Sequence, residues 1–231
     1  MYNTMNPDAL ATRATSINRV YNFVYGWMSI ALAISGGLAW YIAECMKGLS
    51  SDVLIGCVIA QIVLVLILRL GFRKLSAPAI AGLFIAFAAC IGATLSVFLE
   101  VYTSESVYKA FFITAGTFAG MALIGTTTKK DLSTIGRVCL MALWGIIIVS
   151  IVNIFLASDA ISFMIDLITL AVFIGLTAYD AQNVRRLAEA EMRGEISTGE
   201  ANRLGLILAL ELYLDVIILF ETILNLLGDR K

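Results

Sequence analysis

Apolar residues run along the chain in seven stretches, each closed by a short polar or basic turn. The pattern predicts helices near 21–43, 53–72, 78–99, 108–126, 136–157, 161–192 and 199–227. About 20 apolar residues rising 1.5 Å each cross a hydrocarbon core of about 30 Å. The sixth and seventh runs exceed that length, so their facing ends are expected to project into water. Short loops between the others force neighbours to pack antiparallel. Pro7 falls in the polar start of the chain and Pro78 where a helix would begin, a position proline tolerates. Residues 1–20 read as a polar leader and 21–231 as a single membrane domain.

Composition makes the class plain. The 231 residues are 60% hydrophobic and 14% charged, against about 25% charged in an ordinary soluble domain, and the mean hydropathy is +0.92. This predicts an all-α integral membrane protein, a bundle of seven transmembrane helices whose first partner is the lipid bilayer. The leader lacks a basic start followed at once by an apolar core, so it does not read as a cleaved signal. No basic patch with interleaved aromatics points to nucleic acid. The four cysteines have no C-x-x-C spacing and read as small hydrophobes. Histidine is absent, which removes histidine metal sites, histidine acid–base catalysis and the usual switch near neutrality. Proton sensing then falls to carboxylates. Gly36, Gly37 and the pair Gly116 and Gly120 in "GTFAG" have the spacing of close helix packing.

Charge orients the bundle. With the N-terminus inside, that side collects Arg13, Arg19, Arg69, Arg73, Lys74, Lys129, Lys130, Arg137, Arg185, Arg186, Arg193 and Arg203, while the opposite loops hold Lys47 and Lys109. The positive-inside rule gives a multi-pass plasma (inner) membrane protein with a cytoplasmic N-terminus. A seventh crossing puts the final "GDRK" outside, and a re-entrant last segment puts it inside.

The last two helices can be read in detail. Gly194 suits a helix end, and Ser197 followed by Glu200 fits a capping box, so the hairpin turns near 194–198. Asp180 and Asp215 are equidistant from that tip, each about 17 residues or roughly 26 Å along its helix. They therefore share a depth, although rotation about each axis is not given by this arithmetic. An acid at mid-membrane costs about 2.5–3.5 kcal/mol, so a pair there either hydrogen-bonds neighbouring helices or shares a site for protons or cations. Two carboxylates in reach of each other titrate as one unit. Glu211, one turn before Asp215, lies level with Arg185 and is expected to pair with it. Asp166 marks either the far end of a path or the wet first turn of its helix. Arg69 either reaches toward the aspartates or snorkels. Glu221 has no evident partner.

The segments "GATLSVFL" (92–99), "AGMALIGTTTKKDLSTIG" (119–136), "VNIF" (152–155), "TAYDAQ" (177–182) and "LYLDVIILF" (212–220) resemble, in this order, a bacterial member of the Bax inhibitor motif family, the transmembrane Bax inhibitor motif-containing proteins. The resemblance covers the chain from about residue 20. It implies a seven-helix fold with the last helix enclosed by the other six, and a calcium leak regulated by pH. Aspartates of the sixth and seventh helices, matching Asp180 and Asp215, would share a hydrogen bond sensitive to protonation. An arginine of the second helix, Arg69 or else Arg73, would serve as latch partner. Ile218 stands where the family usually carries asparagine.

The reading that follows is a passive leak gated by protons, with calcium as cargo held transiently by Asp180 and Asp215, no cofactor, and Glu211 and Asp166 as possible pathway residues. Its competitor is a non-conducting regulator that restrains a membrane-bound protease, in which the polar leader is the handle. An intramembrane aspartyl protease is the weakest reading, because "AYD" is present but "LYLD" lacks the glycines of that signature. The chain is not expected to be an enzyme.

Overall fold

A computed structural model describes residues 7–46, 48–72 and 74–231, with side chains from residue 17 onward. Arg73 and Lys47 lie outside the described residues, as does the leader before Pro7. Seven helices follow one another: α1 (Pro7–Tyr41), extended by a π-helical turn (Ile42–Met46), α2 (Ser51–Gly71), α3 (Ala77–Val101), α4 (Ser104–Thr127), α5 (Ser133–Leu156), α6 (Asp159–Met192) and α7 (Thr198–Leu227). All seven expected runs are helices. The first begins earlier than hydropathy suggests, since the polar segment from Pro7 is continuous with it.

The helix ends follow local chemistry. At α5–α6, Ala157 closes α5 in the left-handed region. Asn153 bridges that turn, donating to Ser162 Oγ at 2.8 Å and accepting from the Ser158 N–H at 3.3 Å. At the α6–α7 tip, Gly194 takes a φ of +71°, and Ser197 Oγ accepts from the Glu200 N–H at 3.2 Å. Ser197→Ala is expected to lower stability by about 1 kcal/mol, read as a shift in thermal unfolding.

Among the described residues six helices, α1 through α6, are long and apolar enough to cross a membrane. The seventh is the most enclosed: Leu210, Leu212, Tyr213, Leu219 and Leu224 are at most 1% exposed. It packs on α1, α3, α4 and α6, whereas α2 lies against α3 and α5 against α6. The outer two bury almost nothing in the bundle, Leu68 of α2 and Gly136 of α5. Their exposed isoleucines, leucines and valines meet lipid. The core joins α1, α3 and α7, with Phe84 and Phe87 edge-on to the Tyr213 ring.

Helix contacts are closest at glycines other than those expected. Gly36, Gly37, Gly116 and Gly120 face open space, with no heavy atom near where a Cβ would stand; the first pair and "GTFAG" lie on exposed surfaces. The tight approaches are Gly92 against the Ser35 carbonyl of α1, Gly125 against the Ala178 carbonyl of α6, and Gly136 under the Tyr179 ring.

α7 runs from the α6–α7 tip to the opposite end of the bundle. The tail beyond it docks on the α3–α4 turn, opposite the α6–α7 tip. Arg230 forms an antiparallel bridge with Tyr102, the Thr103 N–H donates to the Asp229 carbonyl at 3.1 Å and the Lys231 N–H to Val101 at 2.9 Å. The Tyr102 hydroxyl donates to Asn225 Oδ1 of α7 at 2.9 Å.

Candidate functional site

The stretch 177–186 of α6 divides its side chains among three neighbours. Ala178 and Ala181 lie against Gly125 of α4. Gln182, Arg185 and Arg186 grip the α4–α5 loop. Asp180, 8% exposed, lies in the electrostatic reach of α7's Asp215, itself 3% exposed. The two acids that share a depth in the sequence thus share a buried neighbourhood.

Few donors serve them. Asn183 Nδ2 donates to Asp180 Oδ1 at 3.4 Å, a long bond. The Thr177 hydroxyl lies beside Asp215 but has one proton, and it donates to the Phe173 carbonyl at 2.7 Å. Asp215 Oδ2 is fully buried without a hydrogen-bond partner. The charges of Glu211 and Arg69 reach both aspartates.

Two pairings differ from the sequence reading. Glu211 pairs with Arg69 at 2.9 Å, not with Arg185. Arg69, half-exposed, therefore neither contacts the aspartates nor simply snorkels; it joins α2 to α7 one turn from Asp215. Arg185 instead donates to the Thr126 and Thr128 carbonyls at 3.1 and 2.7 Å. Those carbonyls end α4, and helix-end carbonyls lack intrahelical donors, so the guanidinium is drawn to them. Asp166 lies against Asn225, in the polar cluster beneath the docked tail rather than with the acid pair. Glu221 makes no hydrogen bond or ion pair among the described residues.

The loop grip has no counterpart in the sequence reading. Gln182 accepts from the Leu132 N–H at 2.9 Å and donates to the Lys130 carbonyl at 2.8 Å. Arg186 holds Gln182 Oε1, Ser133 Oγ and the Asp131 carboxylate. The available signal was the i,i+4 spacing of Gln182 and Arg186 beside a polar loop. The Ser133 N–H, then its hydroxyl, then Arg186 hold the Asp131 carboxyl down to about 2. A depressed carboxylate keeps its stabilising contacts above its ordinary range and loses them only as pH falls toward about 2. Asp131→Asn is therefore expected to leave any pH response near neutrality unmoved in a liposome flux assay.

Among the described residues no three acidic, cysteine or histidine side chains gather as a metal cage. Calcium takes 6–8 oxygen ligands.

The sequence model of the family described as inhibitor of apoptosis-promoting Bax1 matches residues 17–231. The chain is 41% identical over 216 residues to the inner membrane protein YbhL of Escherichia coli K12, covering 90% of each. It is 37% identical to uncharacterized proteins of Deinococcus radiodurans, over 95% of each chain, and Borreliella burgdorferi, over 93% of each.

Proposed function

This chain belongs to the family of the inhibitor of apoptosis-promoting Bax1, and from that premise we propose that it is a pH-sensitive cation leak, gated by Asp180 and Asp215, with calcium as the conducted ion. The observation that carries the reading is Asp215 Oδ2, buried without a donor in the enclosed helix. Leaving a buried acceptor unsatisfied costs about 1–3 kcal/mol, more for a charged group. A proton shared with Asp180 removes that cost. At low pH the shared proton would hold α6 and α7 as they stand. At higher pH two ionised carboxylates repel each other and offer oxygen ligands to a cation.

Arg69 supports the same reading as a latch acting through Glu211. Apart from that ion pair, α2 rests chiefly on α3, so a change of charge around Glu211 and Asp215 is felt directly at the α2–α7 contact. The reading needs no cofactor and no bond-breaking chemistry. YbhL is named an inner membrane protein, and we place this chain likewise. The basic residues Arg69, Lys129, Lys130, Arg185 and Arg186 support a cytoplasmic N-terminus under the positive-inside rule.

The test is calcium influx into liposomes carrying the purified full chain, as pH is stepped through neutrality. Wild type should change its rate with pH, and the double variant Asp180→Asn/Asp215→Asn should not. A pH response unchanged in the double variant sinks the gate. Deleting residues 2–18 should leave the flux intact; flux-independent loss of membrane-protein turnover control in that deletion would favour protease restraint instead.

A further inference from the structure

An unpaired arginine and a lipid-facing groove occur together on α5. Arg137 stands one turn into the helix and makes no hydrogen bond or ion pair among the described residues. Arg19, Arg69, Arg185, Arg186 and Arg193, at the same end of the bundle, have acidic or carbonyl partners, and Arg203 of α7 shares Arg137's lack of one among the described residues. A groove of about 560 Å³ runs from Arg137 past Val138, Leu140 and Met141 to Trp144. Met141 and Trp144 are 67% and 69% exposed, on a helix that buries only Gly136.

The turn leading into α5 adds charge. It carries Lys129 and Lys130, and its own acid, Asp131, is already taken by Arg186 and Ser133. Gln182 fixes the turn through the Lys130 carbonyl. The main chain of this turn is therefore held in place, and no acid among the described residues pairs with its two lysines.

We propose that this face binds an anionic phospholipid, its phosphate on Arg137 and one acyl chain along Val138, Met141 and Trp144. Charge complementarity selects the head group, since arginine matches phosphate geometry and a basic pocket at a membrane interface favours anionic lipid. The apolar groove selects a lipid over free phosphate or a soluble anion. Trp144 lies seven residues below Arg137, about 10 Å along the helix, which sets it beside the acyl chain rather than the head group.

That tryptophan is the reporter. Of the three tryptophans, Trp27 and Trp40 are replaced by phenylalanine in the full-length protein, which is then reconstituted in mixed vesicles. Phosphatidylglycerol with 9,10-dibrominated chains should quench Trp144 several-fold more, at equal mole fraction, than brominated phosphatidylcholine. Arg137→Gln should bring the two lipids level, and Arg137→Lys should restore part of the preference. Lys129→Gln/Lys130→Gln should weaken it. Equal quenching in the unsubstituted background, or a preference surviving Arg137→Gln, overturns the site. Unchanged helical content by circular dichroism keeps a levelled signal from being a folding defect.

Discussion

Alanine at position 125 is expected to leave little folded protein. An added Cβ would overlap the Ala178 carbonyl oxygen and lie 2.9 Å from its carbon and 3.0 Å from Ala181 Cβ. None of these is the end of a flexible side chain, so α4 and α6 must move apart. Overpacking of this kind costs about 1–3 kcal/mol, and sometimes more. Separation would also strain the bonds from Arg185 to the end of α4 and from Gln182 to the loop, adding to the loss. Gly116→Ala and Gly120→Ala are the controls. Both positions face open space, and removing a helical glycine gains about 0.5–1 kcal/mol. Thermal unfolding in detergent and the yield of monodisperse protein separate the two classes; a Gly125→Ala variant as stable as wild type would contradict the helix contact.

Asp215→Asn should do the opposite to stability and abolish the pH response of flux. Asparagine keeps the shape, removes a buried charge and brings an N–H₂ group to a place where Oδ2 had no donor. Asp180 is the acceptor at hand. Relief of an unsatisfied buried group is worth about 1–3 kcal/mol, and it should be largest at the pH values where wild type holds both carboxylates ionised. Asp180→Asn should also flatten the pH response, but with a smaller gain, since Asp180 already accepts from Asn183. Both partners of the Arg69–Glu211 ion pair are retained in both variants, so any change at the α2–α7 contact traces to the aspartate charge. Unfolding and calcium flux measured on the same preparations give both numbers. If either single variant responds to pH like wild type, the two carboxylates do not act as one unit.

Helix number, the hairpin and the common depth of Asp180 and Asp215 are legible in the sequence because each rests on something periodic or local. Apolar run length counts the spans, Gly194 and Ser197 mark the tip, and a fixed rise per residue sets depth. What the sequence leaves open depends on rotation about helix axes, which neighbours set. Depth alone pairs Arg185 with Glu211, but the guanidinium turns to the open carbonyls of α4, and a carbonyl acceptor has no side-chain signature. Arg69, from a helix far away in the chain, takes Glu211 instead. The glycine spacing of "GTFAG" misleads for a related reason. A pair four residues apart defines a smooth face without saying what meets it, while Gly125 and Gly136 each meet α6 as single residues. The docking of the tail on the α3–α4 turn is carried mostly by main-chain groups, and any sequence offers those.

The enclosure of α7 bears on how the protein is made. The first six helices satisfy the requirements for a membrane span on their own, so each can leave the insertion machinery for lipid as it is synthesised. The seventh carries Glu211, Asp215 and Glu221 within 11 residues, and each acid at the helix centre adds roughly 2.5–3.5 kcal/mol to the cost of partitioning alone. Its favourable surroundings are the walls built by α1, α3, α4 and α6, which exist only after those helices have assembled. Insertion of α7 is therefore expected to be favourable only once those walls are in place, and the contacts of residues 229–231 with the α3–α4 turn then hold its far end.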